Sequence, residues 1–145
     1  MSLWLLSWNI RGLNNPQKRE VCKNLLKKCD IICFQETKLS SLNSFVIRSL
    51  WSSPFLDWVV LDAINTAGGV LLVWDKRVFE KVDCAIGRFS INVLFKGVVD
   101  DFVWACSGVY RPNEDSQRGI LWEELSRMHS RWNMTWCVFG DFNTI

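Results

Sequence analysis

Short apolar runs alternate with stretches of helical spacing along the whole chain. Leu3 to Trp8 is a run of the first kind and reads as a buried strand. Pro16 then opens a helix, because proline's missing N–H costs nothing in a first turn. Val21, Cys22, Leu25, Leu26 and Cys29 recur at helical spacing and form an apolar stripe, with Lys18, Arg19, Lys23, Lys27 and Lys28 around it. Those lysines read as a solvated face before they read as a DNA contact. Asp30 to Phe34 is a second strand, and Ser41 to Trp51 a short helix with Phe45, Val46, Ser49 and Leu50 near one side. Trp58 to Leu61 and Val70 to Trp74 are strands joined by a turn at Gly68-Gly69. Phe79 to Ile86, Ile91 to Phe95 and Phe102 to Tyr110 are expected to continue the sheet. Asp115 or Ser116 caps a helix whose apolar positions are Leu121, Trp122, Leu125, Met128 and Trp132. Trp136 to Phe139 is the last strand. The alternation predicts an α/β protein. With no repeat, low-complexity tract or linker, residues 1–145 form one domain.

Composition narrows this only slightly. Hydrophobic residues make up 49% of the 145, which excludes intrinsic disorder. A net charge of +2 permits nucleic-acid binding without demanding it. The six cysteines form no CxxC pair and there is one histidine, so the spacing of a zinc site is missing. Cys33, Cys106 and Cys137 lie in apolar runs and read as buried free thiols, which fits a reducing compartment. The apolar start has no basic segment before it, and no stretch reaches the ~20 residues of a membrane span. The expectation is an intracellular protein of nucleus or cytoplasm, without membrane partners.

The candidate chemistry sits at strand ends. Trp8-Asn9, Gln35-Glu36-Thr37-Lys38, Tyr110-Arg111-Pro112 and Gly140-Asp141-Phe142-Asn143 each follow an apolar strand. Ligands of open α/β sheets bind outside the carboxyl ends of strands. Converging there, these segments bring together carboxamides, carboxylates and a phenol. That set suits Mg²⁺, which takes hard oxygen ligands and only one or two protein carboxylates, and a phosphate. Each residue also has a plainer reading. Asn9 can cap a turn, and Asp141 with Asn143 can make an Asx-turn. Glu36 can be an exposed charge, and Tyr110 a core edge. Lys38 and Arg111 read as solvated charges, and His129 as a helix-surface residue.

SWNIRGLN (7–14), QETK (35–38), GVYRP (108–112) and GDFN (140–143) resemble successive motifs of the endonuclease/exonuclease/phosphatase superfamily. The branch they are most similar to is the apurinic-type endonuclease domain of plant non-LTR retrotransposons, whose Gly-Gly strand GGVLLVWD (68–75) also resembles. The resemblance implies an α/β fold, the N-terminal portion of a four-layer α/β/β/α sandwich of deoxyribonuclease-like type with mixed sheets. It implies Glu36 as the ligand of Mg²⁺ (or Mn²⁺) and Asn9 holding a phosphate oxygen or a water on the metal. It further implies Asp141 orienting or deprotonating the attacking water, Asn143 steadying the phosphate and Tyr110 donating to it. The reaction would nick one DNA strand and leave a 3′-hydroxyl able to prime reverse transcription.

Two departures qualify the resemblance. The family's repair branch has an Asp where this chain has Arg11, which favours the retrotransposon branch. The family's second half also supplies a further Asp/Asn motif and an Asp-His pair, and nothing in this sequence matches them. The expectation is therefore a truncated domain, inactive or nearly so alone. The alternatives are a non-catalytic remnant or nucleic-acid-binding module, and another phosphodiesterase or phosphatase of the same superfamily. A half-sandwich is expected: one mostly complete sheet with helices 16–29 and 116–132 on its outer face. Its inner face would be uncovered, favouring self-association through the exposed sheet.

Overall fold

The computed structural model describes residues 4–13, 15–25, 27–39, 44–51, 53–63 and 68–140. Leu3, Leu26 and the side chain of Phe45, which entered the patterns above, lie outside them, as does the 41–43 start expected for the second helix. The elements run β1 (Leu5–Asn9), α1 (Pro16–Leu25), β2 (Ile31–Gln35), α2 (Ser44–Leu50), β3 (Leu56–Leu61), β4 (Val70–Asp75), β5 (Phe79–Ile86), β6 (Ser90–Gly97), β7 (Val103–Val109), α3 (Asp115–Trp132) and β8 (Trp136–Gly140).

They build two four-stranded sheets, ordered β1-β2-β4-β3 and β5-β6-β7-β8. Each is mixed. β1 runs parallel to β2 and β7 parallel to β8, while the other pairs are antiparallel. The sheets pack face to face around Ile31, Cys33, Leu72 and Trp74 from the first and Ile91, Phe95, Trp104 and Cys106 from the second. Trp74 meets Phe95 edge to face across the sandwich at 4.9 Å.

This overturns the expectation of one sheet with a bare inner face. The strands from Phe79 onward do not extend the first sheet; they form the second, and each covers the other. The reason is legible in β2 and β4, whose residues are buried along both faces of the strand except at Asp75. Strands of that kind need a layer on each side. The helices also divide. The first sheet's outer face, with Ile32, Phe34, Leu71 and Val73, packs with Cys22 of α1 and Ile47 and Leu50 of α2. Leu121 and Leu125 of α3 cover Phe89 and Val109 on the second sheet.

Local chemistry explains the helix ends. Asn15 caps α1, its Oδ1 accepting the N–H groups of Gln17 at 2.8 Å and Lys18 at 3.3 Å. α1 stops at Leu25, short of the expected Cys29, where the N–H groups of Lys27 and Lys28 bond carbonyls three residues back, Asn24 O and Leu25 O, and tighten the last turn. At the end of α3, Asn133 takes the left-handed conformation, φ 46°, and its N–H bonds His129 O. No helix among the described residues is long and apolar enough to cross a membrane.

Candidate active site

Both parallel pairs lie at the same side of the sandwich, so the carboxyl ends of β1, β2, β7 and β8 open together. Asn9 pairs with Gln35 at the end of the first sheet, and Val109 with Gly140 at the end of the second. Between them is a pocket of about 230 Å³ lined by Asn9, Gln35, Glu36, Tyr110, Arg111 and Asn113, with Val109 at its wall. Three of the residues singled out in the sequence, Asn9, Glu36 and Tyr110, thus share one cavity. Asp141 and Asn143 lie outside the described residues.

The rim is held in costly backbone. Arg11, Glu36 and Lys38 have φ of 53°, 53° and 57°, beside Gly12, Gly68 and Gly69 at 105°, 77° and 93°. A non-glycine residue in this region costs roughly 1–3 kcal/mol. The hydrogen-bond ladder beyond the strands keeps it there. Gly12 N–H bonds Glu36 O at 2.8 Å, Leu13 N–H bonds Thr37 O at 3.0 Å, and Lys38 N–H bonds Gly68 O at 2.9 Å. Three segments far apart in sequence are stitched edge to edge, and Glu36 is delivered to the pocket by that stitching. Gly69 has no alternative, since a Cβ there would collide with the buried Thr37 Oγ1.

Two basic side chains of α1 serve the same loop. Lys18 Nζ donates to Ile10 O at 2.7 Å and Arg11 O at 3.1 Å, and Arg19 Nε to Leu13 O at 2.7 Å. They are structural ties rather than the solvated face expected of them. On the other lip, Arg118 donates to Pro112 O at 3.1 Å and Asn113 O at 3.0 Å, fixing the segment that carries Arg111. Arg111 and Asn113 are the lining residues that sequence reasoning undervalued. Their only signal was adjacency to Tyr110. Lys38 is exposed and His129 stacks on Trp136 at 5.2 Å on the helix side, away from the pocket.

Glu124 was not singled out at all. It is buried in the apolar stripe of α3, 8% exposed. Its carboxylate accepts Arg88 N–H at 2.7 Å, Phe89 N–H at 3.2 Å and the Ser90 hydroxyl. Asn92 Nδ2 donates to Ser90 Oγ at 3.0 Å, Ser107 Oγ to Asn92 Oδ1 at 2.6 Å, and Trp136 Nε1 to Ser107 Oγ at 2.9 Å. This chain of donors crosses β8, β7 and β6 and ends on a carboxylate. Phe89 O in turn accepts Tyr110 N–H at 2.8 Å, so the hairpin that Glu124 pins is bonded to the pocket wall.

All six cysteines are free. Desolvation pushes Cys33 up to about 12 and Cys22 up to about 11, and holds Cys106 well above its ordinary value. Such thiols pack as small hydrophobes. Cys137, expected to be buried with them, is partly buried and packs against the same core from β8.

A sequence model of the endonuclease/exonuclease/phosphatase family matches residues 6–145. The chain belongs to that family. Solved structures carry the same fold. A Bacteroides thetaiotaomicron mannosyl-6-phosphatase superposes with a TM-score of 0.74 at 16% identity, over 98% of this chain and 66% of its own. The catalytic domain of human Nocturnin, with a bound sulfate, gives 0.69 at 17% identity over 99% and 64%. A Neisseria 3′ phosphatase bound to a product DNA hairpin gives 0.68 at 20% identity over 98% and 58%. The chain therefore spans 58–66% of the length of these three structures. The family comprises phosphatases and nucleases of one fold, deoxyribonuclease-like, with two mixed sheets between helices.

Proposed function

We propose that the chain carries the phosphate-handling part of a metal-dependent DNA phosphodiesterase site, of the nicking kind that non-LTR retrotransposons use, and that alone it is nearly inactive. The observation that supports this most is the meeting of Asn9, Glu36 and Tyr110 around one cavity at the strand ends. The donor set fits Mg²⁺ or Mn²⁺. Glu36 offers one carboxylate, a hard ligand in the number Mg²⁺ commonly takes from protein, with water and phosphate oxygens to fill the rest of its shell. Among the described residues no group of three or more His, Cys, Asp or Glu side chains forms a metal cluster, so a site rich in carboxylates or thiols is not part of this reading. Glu36 would hold the ion, which when bound neutralises charge on the phosphate.

The chain's own residues do the rest. Asn9 holds a phosphate oxygen. Tyr110 donates its O–H as negative charge grows on the phosphate, and fixed donors of this kind carry most of the catalysis in phosphoryl transfer. Asp141 orients or deprotonates the attacking water, and Asn143 steadies the phosphate. Activity alone is low because a third or more of the length of related structures has no counterpart here. DNA is the substrate, which fits an intracellular protein of nucleus or cytoplasm. Self-association would use β1 and β8, each a terminal strand of its sheet among the described residues.

The test is a Mg²⁺ titration followed by amide resonances, with Glu36→Gln in parallel. Perturbation of residues around Asn9, Glu36 and Tyr110 in the wild type, lost in the variant, is expected. Equal affinity in both would remove Glu36 as the ligand and leave a non-catalytic remnant as the better reading. Supercoiled plasmid, abasic DNA and a phosphoinositide then separate DNA nicking from other chemistry of the family.

A further inference from the structure

We propose that a second anion site lies at the foot of the first sheet, and that it takes a phosphate group, free or in an oligonucleotide backbone. A cleft of about 660 Å³ opens there. It is framed by Lys23, Lys27 and Lys28 at the end of α1 and by Arg77 after β4, over a floor that includes Trp51 and Leu56. It is not the pocket at Glu36. Asp30 and Asp75 at the cleft flank Ile31 and Trp74, which pair at the opposite end of β2 from Gln35. Five residues of strand separate the two sites, roughly 16 Å.

The carboxylates in the cleft are already engaged. Asp30 Oδ2 accepts Trp4 N–H at 2.9 Å, and Asp75 is gripped by Arg77 Nη2 at 2.7 Å. Lys23 shares its charge with Glu20 at 3.8 Å. Asp30 keeps its negative charge, so Lys27 and Lys28, which have no ion pair among the described residues, leave the cleft with one positive charge in excess.

Cations beyond a helix C-terminus commonly just satisfy its carbonyls and dipole. Here three of the last four carbonyls have other partners. Cys22 O accepts the Trp51 indole N–H at 3.0 Å. Asn24 O accepts Lys27 N–H at 3.3 Å, and Leu25 O accepts the N–H groups of Lys28 at 2.9 Å and Cys29 at 3.1 Å. The backbone and Trp51 take up those three carbonyls, so neither ammonium group is needed to satisfy them. α1 thus uses its basic residues in two ways. Lys18 and Arg19 turn inward to tie the loop 10–13, while Lys27 and Lys28 stand at an open cleft with unspent charge. A phosphate is the ligand whose charge and acceptor oxygens match adjacent ammonium donors over a partly apolar floor.

Binding of a labelled single-stranded octanucleotide, measured against salt, tests this without any need for catalysis. Lys27→Glu/Lys28→Glu is compared with Lys81→Glu/Lys96→Glu, which makes the same change in net charge on the other sheet. The foot variant should bind at least about fivefold more weakly than the control variant. Its log affinity against log salt should be shallower than wild type by about 1.4, about 0.7 for each lost contact to a single strand. Equal losses in the two variants, or none, would overturn the site. The binding is measured without divalent metal, so it does not depend on Glu36 holding an ion, and failure of the metal assignment and failure of the foot site are distinct results. Amide resonances of Lys27 and Lys28 identify the source. Shifts with inorganic phosphate alone support an ion site, and shifts only with the oligonucleotide support a backbone site. No shift with either overturns the proposal. These lysines are exposed, and an unchanged melting temperature confirms that the variants are folded.

Discussion

Gly68 is the surface on which the ring of Tyr110 rests. A Cβ on Gly68 would lie 3.1 Å from both Cε2 and Cζ of that ring, and Gly68 itself sits at φ +77°. The contact joins the turn before β4, in the first sheet, to the end of β7, in the second. It sets where the phenol stands relative to Glu36.

Gly68→Ala should therefore displace the ring and strain the turn. The expected stability loss is about 1–3 kcal/mol. Tyr110 is the single tyrosine, so its ring resonances report on the pocket without ambiguity. They should shift in Gly68→Ala and stay in place in Gly119→Ala, a helical glycine with nothing within 4 Å of its Cβ position.

Glu124→Ala should cost about 3 kcal/mol in urea unfolding. It strands the buried Phe89 N–H and the Ser90 hydroxyl, and hydrogen bonds to a charged group contribute about 1.5–3 kcal/mol. Exchange protection should fall first at Arg88, Phe89 and Tyr110. Unchanged protection there would mean that the hairpin is held by β5–β6 pairing alone.

Stability should decline at both ends of the pH scale, for different reasons. The Arg77 guanidinium bonded to Asp75 lowers that carboxyl below its ordinary 3.8, and the Cys84 N–H followed by the Trp132 indole does the same for Asp83. Lowered acids stabilise above their unfolded value, so this contribution is lost as pH falls below about 4. Buried thiols act in the opposite sense. Cys33 and Cys22, raised by desolvation from 9.0 to about 12 and about 11, stay neutral in the fold while the unfolded chain ionises. The urea midpoint should hold up to about pH 9 and fall beyond it. Cys33→Ala, weaker at neutral pH, should show a shallower alkaline decline.

Supercoiled plasmid with Mg²⁺ should be nicked far more slowly by this chain than by a longer family member. Loss of one preorganised group commonly costs ~10²–10³ in rate. Nicking that approaches the longer enzyme's rate and vanishes in Asp141→Ala would show a complete working site and reverse the expectation.

Local pattern alone determined which segments are strands and helices. Apolar runs such as Ile31–Phe34 and Val70–Trp74, the stripe of α1 and its start at Pro16 are carried by local periodicity and by proline's place in a first turn. The order of the four polar clusters also carried the family, because each follows a strand and strand ends are where such folds bind. What the sequence could not reveal was partnership at a distance. Nothing local says that Phe79 onward starts a second sheet instead of extending the first, since period-two patterns name a buried face but not what covers it. Nothing local distinguishes Lys18, folded back onto Ile10 O, from Lys27, left at an open cleft. Glu124 reads as one more charge on a helix until α3 docks and its carboxylate meets three donors of a hairpin 34 to 36 residues away. Hydrogen-bond partners and desolvation are properties of the packed chain, so these roles were decided only when the two sheets and their helices closed on one another.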